Sequence, residues 1–125
     1  MLADHPIQPV LLVRDLAAAR AFYTETLGLP LVGQDDARLV VRCGSGTLTL
    51  SLSTVGTTDT QTKAAWTVED IDAEVDELRS RGVQVEEYDS EDLRTVDGIA
   101  DVGFARAAWI VDPFDNALSL LEPID

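Results

Sequence analysis

Two stretches of this chain carry apolar residues at helical spacing, and nearly every other apolar run is short and alternating. In the first stretch Leu16, Ala19, Tyr23 and Leu27 recur at steps of three and four behind Asp15, whose carboxylate can accept the free N–H groups of a first helical turn, and Gly28 closes it. The second stretch repeats the device: Asp70 caps, Ile71, Val75 and Leu78 follow at i, i+4, i+7, and Gly82 stops it. Helices are therefore predicted from Asp15 to Gly28 and from Asp70 to Gly82.

The phrases that open these helices, Val13-Arg-Asp15-Leu16 and Val68-Glu-Asp70-Ile71, lie 55 residues apart, close to half the chain. What surrounds them is also alike. A short alternating strand precedes each cap, Gln8–Val13 and Lys63–Val68. Three further strand candidates follow each helix: Leu29–Gly33, Arg38–Cys43 and Thr47–Ser53 in the first half, and Val83–Tyr88, Phe104–Val111 and Ala117–Glu122 in the second. Gly44-Ser-Gly46 and Asp112-Pro-Phe-Asp-Asn116 supply the turns before the last strand of each half. Each half reads β-α-β-β-β, with module 1 over about 6–54 and module 2 over about 62–123, joined by 55–62. The expected class is α+β: two βαβββ modules forming a curved, mixed eight-stranded sheet with a concave cavity and the helices outside.

Composition narrows the function. With 9 Lys and Arg against 23 Asp and Glu, the 125-residue chain has a formal charge of −14 and no basic stripe, which argues against nucleic-acid binding. No run approaches the length of a membrane span and no leader is visible at Met1–Asp15, so a cytoplasmic protein without a membrane partner is expected. Cys43 is the only cysteine and reads as a small apolar strand residue; His5 is the only histidine and falls in the tail before the first strand.

The chain resembles the vicinal oxygen chelate superfamily, which includes glyoxalase I, extradiol dioxygenases, fosfomycin-modifying enzymes and bleomycin-resistance proteins. The resemblance is carried by Val13-Arg-Asp-Leu16 leading into Ala21-Phe-Tyr23 and Leu27-Gly-Leu-Pro30, by Val68-Glu-Asp-Ile-Asp72, and by Ala107-Ala-Trp-Ile-Val-Asp-Pro-Phe-Asp-Asn116-Ala-Leu118. It spans nearly the whole of 1–125, read as a single glyoxalase/bleomycin-resistance-like domain. One departure is Asp115, where the family commonly has glycine; Asp tolerates a left-handed backbone, so the turn is expected to survive.

The resemblance implies a divalent metal held by His or Gln, Glu, His and Glu on the first and last strands of the modules. Those positions fall here on Gln8, Lys63 and Ser119, with Thr49 to Leu50 as the fourth. A protonated lysine has no lone pair to give and serine no anionic oxygen, so no metal and no other cofactor is expected. Most carboxylates belong to predicted helix surfaces or to the acidic 86–101 region.

Strand alternation then selects the candidate cavity wall. Gln8, Val10 and Leu12 share one face of the first strand; Lys63, Ala65 and Thr67 share the open face of the fifth, with Trp66 toward the core; Ala107 and Trp109 face the cavity from the penultimate strand, and Ala117, Ser119 and Leu121 from the last. The candidate ligand-binding residues are Gln8, Leu12, Lys63, Thr67, Phe104, Trp109 and Ser119, with no catalytic set and no metal ligands. Phe104 and Tyr88 border the acidic loop 89–102, which has the length of a lid and carries Gly98 and Gly103 as candidate hinges. The favoured reading is a homodimeric, metal-independent protein that encloses an aromatic or largely apolar small molecule, as in drug or natural-product sequestration. The other is a glyoxalase- or dioxygenase-like lyase, isomerase or oxidoreductase acting on a small metabolite.

Overall fold

Asp15 and Asp70 cap their helices as the spacing predicts, accepting from Ala18 N at 3.1 Å and Ala73 N at 3.2 Å. In the computed structural model, which describes residues 1–53 and 61–124, they open α1 (Leu16–Arg20) and α2 (Ile71–Ser80). α1 does not run on to Gly28 as an α-helix. Ala21–Thr26 winds as a π-helix, with Leu27 N bonded to Phe22 O. Within it the Thr24 hydroxyl donates to Arg20 O at 2.6 Å, taking a carbonyl that the i+4 amide would use and widening the turn. Gly28 and Gly82 then leave the helices at φ 76° and 83°, a left-handed exit that needs no Cβ.

Two compact units result, Met1–Thr57 and Thr58–Asp125, and each repeats one arrangement. Unit 1 holds β1 (Val10–Val13), β2 (Leu31–Gln34), β3 (Arg38–Cys43) and β4 (Gly46–Leu52) in the order β1-β4-β3-β2, with β1 parallel to β4 and the other pairs antiparallel. Its core is one face of the sheet against α1: Leu11, Val13, Leu39, Val41, Leu48 and Leu50 with Ala19 and Tyr23, all buried. Unit 2 holds β5 (Thr62–Thr67), β6 (Ala100–Asp101), β7 (Ala105–Val111) and β8 (Ala117–Pro123) in the corresponding order β5-β8-β7-β6, with Ala108, Ile110, Leu118 and Leu120 against Ile71 and Val75 of α2. The α+β class and the two βαβββ modules are as expected. The connector 55–62 lies mostly outside the described residues.

Three boundaries move for local reasons. Pro9 has no N–H to extend β1 toward Gln8, though its carbonyl still accepts from Thr49 N at 3.0 Å. Leu29 gives its N–H to Tyr23 O, closing the helical turn, so β2 starts beyond Pro30 at Leu31. The larger correction concerns the second half, where Val83–Tyr88 is not a regular strand. It contributes one bond to the sheet, Glu86 N to Trp109 O at 2.8 Å, while β6 supplies the fourth strand from inside the expected loop. Loop 89–102 folds back on itself through Asp89–Arg94 and Val96–Ile99 bridges, and Asp97 and Gly98 turn it at φ 53° and 83°. Gly98 is not a free hinge: a Cβ there would lie 2.6 Å from Val85 Cγ1.

Arg106 of β7 fixes α2 to the sheet through a bidentate pair with Asp72, at 2.9 and 3.1 Å. The guanidinium hydrogen bond holds the Asp72 carboxyl below the usual carboxylate range. A folded-state pKa below the unfolded one stabilises fully above the ordinary carboxylate range, and that contribution is lost as pH falls through the lowered value. Asp72→Asn should therefore be slightly less stable than the parent in urea unfolding at neutral pH, and the gap should close in acid; a gap that widens in acid would refute the assignment. Solvent exposure keeps the effect small.

Candidate functional site

The face of the unit 2 sheet turned away from α2 is organised in rows set by strand register. Ala65, Ser119 and Trp109 stand side by side across β5, β8 and β7, and Thr67, Leu121 and Ala107 form the next row. Cross-strand partners share a face, so Trp109 stands opposite to Ala108 and Ile110, which are buried against α2. Of the candidates, this face joins Trp109, Ser119 and Thr67. Ser119 is buried, with Oγ 3.5 Å from Leu120 O, whereas Thr67 is exposed and Trp109 half-buried.

The register that aligns Trp109 with Ser119 is fixed at the β7–β8 turn. Asp112 Oδ1 accepts from Phe114 N and Asn116 N at 2.8 Å each, and Asp112 Oδ2 accepts from Asn116 Nδ2 at 2.8 Å, with Asp112 and Asn116 both buried. Asp115 takes the left-handed conformation expected of it, at φ 67°.

Two candidates are displaced. The pairing passes from Thr62–Ala117 to Ala64–Leu118, so Lys63 is the extra residue of a β-bulge; the open-face row of β5 is Thr62, Ala65 and Thr67, and simple alternation fails at Lys63. Lys63 is half-buried, with Nζ 3.5 Å from Gln61 O. Phe104 precedes β7 and is 69% exposed. It stands beyond the Ala105–Pro123 pair, five residues or about 17 Å from Trp109 along the strand direction. Trp109's aromatic neighbour is instead Tyr88, edge-on at 5.5 Å and 90°. Tyr88 and Glu86 escaped the candidate set, although alternation pointed to them: Val83 and Val85 are buried, which turns the even positions to the other face. Burial, and then the Glu86 carboxylate, push the Tyr88 phenol above its ordinary pKa.

Gln8 and Leu12 belong to unit 1. Gln8 Nε2 donates to Thr47 Oγ1 at 2.9 Å, and Leu12 lies opposite Ser51 on the face turned from α1, where Val10 is also exposed.

An open cavity of about 600 Å³ in unit 2, with Asp72, Ile99, Asp101 and Arg106 in its lining, lies on the helix side of β6 rather than beside Trp109. Its charged lining is largely engaged: Asp72 with Arg106, Arg94 with Asp89, and Asp101 with the amide of Gly103.

A family model described as the Glyoxalase/Bleomycin resistance protein/Dioxygenase superfamily matches residues 4–118. The chain belongs to this superfamily. Solved structures of superfamily type agree on the fold. A glyoxalase/bleomycin resistance protein/dioxygenase from Alicyclobacillus acidocaldarius is 19% identical with a TM-score of 0.75, covering 98% of this chain and 93% of its own. A bleomycin-binding protein complexed with bleomycin is 22% identical with a TM-score of 0.72, covering 96% and 99%. TnmS3, an antibiotic binding protein from Streptomyces sp. CB03234, is 22% identical with a TM-score of 0.64, covering 96% and 98%. No curated protein sequence matches the chain.

The metal that the superfamily resemblance implies does not fit the residues at its positions. Gln8 offers one neutral amide oxygen, but Thr49 and Ser119 carry only hydroxyls, and the Lys63 ammonium repels a cation. Among the described residues, no group of three or more His, Cys, Asp or Glu side chains is placed to hold a metal ion. Nor does any helix among them have the length and apolarity to cross a membrane.

Proposed function

We propose that this superfamily member is a metal-independent small-molecule binding protein that holds an aromatic or largely apolar ligand on the face bearing Trp109. The observation that carries the proposal is the row Ala65–Ser119–Trp109, a flat aromatic surface amid small side chains with a hydroxyl beside it. Such a surface offers stacking area and a few polar contacts but no nucleophile beside a base. The bleomycin-binding protein and TnmS3 are precedents for ligand holding on this fold. Thr67 lies in the adjacent row and stays in the proposed binding set with Lys63 at its margin, while Gln8 and Leu12 are proposed as binding residues of unit 1's own face turned from α1. Phe104 contributes only if the ligand reaches the far end of β7. The working form is proposed to be a cytoplasmic homodimer, for which light scattering should give twice the chain mass.

In a Trp66→Phe variant Trp109 becomes the sole indole, and a panel of aromatic natural products should include members that quench it saturably, equally with and without EDTA. Equilibrium dialysis of the same ligand against Trp109→Ala should show roughly a tenfold or greater loss of affinity, the scale expected when a stacking ring is removed. Unchanged affinity would remove the site from this face. Copurification of about one divalent ion per chain, with binding abolished by EDTA, would overturn metal independence.

A further inference from the structure

We propose that the corner formed by Trp109, Tyr88 and Glu86 receives an organic cation, a quaternary or tertiary ammonium group, as the polar end of the ligand; the proposal rests on the reading that ligand binds the Trp109 face. The two rings meet at 90° with centroids 5.5 Å apart. In this edge-to-face pair the edge of one ring covers the face of the other, so the corner keeps one open π face walled by the crosswise ring, and the negative quadrupole of that face points into it. A neutral aromatic ligand can stack on an open indole face alone, so what selects positive charge at this corner is the π face combined with a neighbouring carboxylate.

Glu86 supplies the counter-charge. Its amide donates to Trp109 O at 2.8 Å, which seats it on the β7 edge alongside Trp109, and alternation puts its side chain on the face of Tyr88. The odd positions of this segment turn the other way: Val83 and Val85 are buried and Glu87 pairs with Arg79 of α2 at 3.8 Å. Glu86 also bears on the Tyr88 phenol, whose raised pKa comes after burial from this carboxylate. The basic groups of unit 2 stand elsewhere. Arg106 faces α2, Arg79 and Arg81 belong to the helix and its end, Arg94 pairs with Asp89, and Lys63 is on β5, two strands or roughly 10 Å across the sheet from β7. Within unit 2, a cation entering the corner therefore meets one carboxylate and an open π face before it meets a like charge.

The discriminating pair of probes is choline and 3,3-dimethyl-1-butanol, which match in shape and differ in charge. On the isotope-labelled full chain, with the Trp109 indole resonance assigned through Trp66→Phe, choline should shift that resonance saturably and bind about tenfold tighter than the alcohol, a ratio in the range that cation–π and carboxylate contacts provide. Glu86→Gln should erase most of that ratio, and Tyr88→Leu should lower choline affinity severalfold while the alcohol is little affected. Equal affinity for the two probes, or a ratio untouched by Glu86→Gln, overturns the proposal and leaves the stacking face standing if neutral aromatics still bind. If neither the probes nor the neutral panel move the Trp109 resonance, both readings fall. The amide pattern of each variant reports its folding, so loss of binding through unfolding is recognised directly.

Discussion

Asp112→Ala should be among the most destabilising single substitutions in unit 2, lowering unfolding free energy by about 4 kcal/mol, a large share of the roughly 5–15 kcal/mol available to an ordinary domain. The carboxylate accepts three hydrogen bonds of 2.8 Å within a turn in which Asp112 is 4% and Asn116 1% exposed. Alanine leaves the Phe114 and Asn116 amides and the Asn116 side chain without their acceptor, at about 1–3 kcal/mol for each buried donor before the turn relaxes. Asp112→Asn keeps the oxygen facing the two backbone amides but points an NH₂ group at Asn116 Nδ2, so it should cost less than alanine. Asn116→Asp alone sets two carboxylates against each other. The double exchange Asp112→Asn with Asn116→Asp restores a donor opposite an acceptor and should be milder than the sum of the single changes, as a double-mutant cycle in urea would show. Additive losses would mean that the side-chain bond contributes nothing and that only the backbone caps matter.

This turn bears on the site because it holds Trp109 opposite Ser119. It was also legible in advance: Asp112, Asn116 and the left-handed Asp115 are residue types whose chemistry is local, and local chemistry survives without knowledge of the rest of the chain. The helix caps were legible for the same reason, and so was the repeat that divides the chain into two modules. Lys63 shows where alternation stops being enough. A bulge is decided by how one strand meets another, and nothing within Thr62–Thr67 marks the extra residue. β6 is the same difficulty in sharper form. Two residues, Ala100 and Asp101, have no periodicity to display, and they act as a strand only because the loop returns them to Ala107 and Arg106. The same limit applies to the proposed site: strand parity suffices to put Trp109 and Ser119 on one face, but that Tyr88 rather than Phe104 lies beside Trp109 depends on which segment runs along the outer edge of β7.

Gly98→Ala should cost about 3 kcal/mol, and its size can be separated into two causes because the chain contains its own control. Gly98 and Gly82 share the same φ of 83°, which strains any residue with a Cβ by about 1–2 kcal/mol. Around Gly82 there is open space, so Gly82→Ala should register the backbone cost alone. At Gly98 the added Cβ would sit 2.6 Å from Val85 Cγ1 and 3.0 Å from Arg79 Nη2; the guanidinium end can swing aside, but the buried valine cannot, and overpacking of this kind adds about 1–3 kcal/mol. Val85→Ala removes the obstructing methyl, so in that background the Gly98→Ala penalty should fall to the Gly82→Ala value. The same displacement should be felt at the site. Gly98 turns the loop that returns β6 to β7, where Ala100 stands opposite Ala107, and Val85 precedes Glu86, whose amide bonds Trp109 O. Pushing these two segments apart moves Glu86 and Tyr88 relative to Trp109, so Gly98→Ala should weaken choline binding more than it weakens binding of a neutral aromatic that needs the indole face alone. Equal loss for both ligands would show that the substitution loosens the sheet as a whole, and an unchanged stability would show that Val85 yields to the methyl group at little cost.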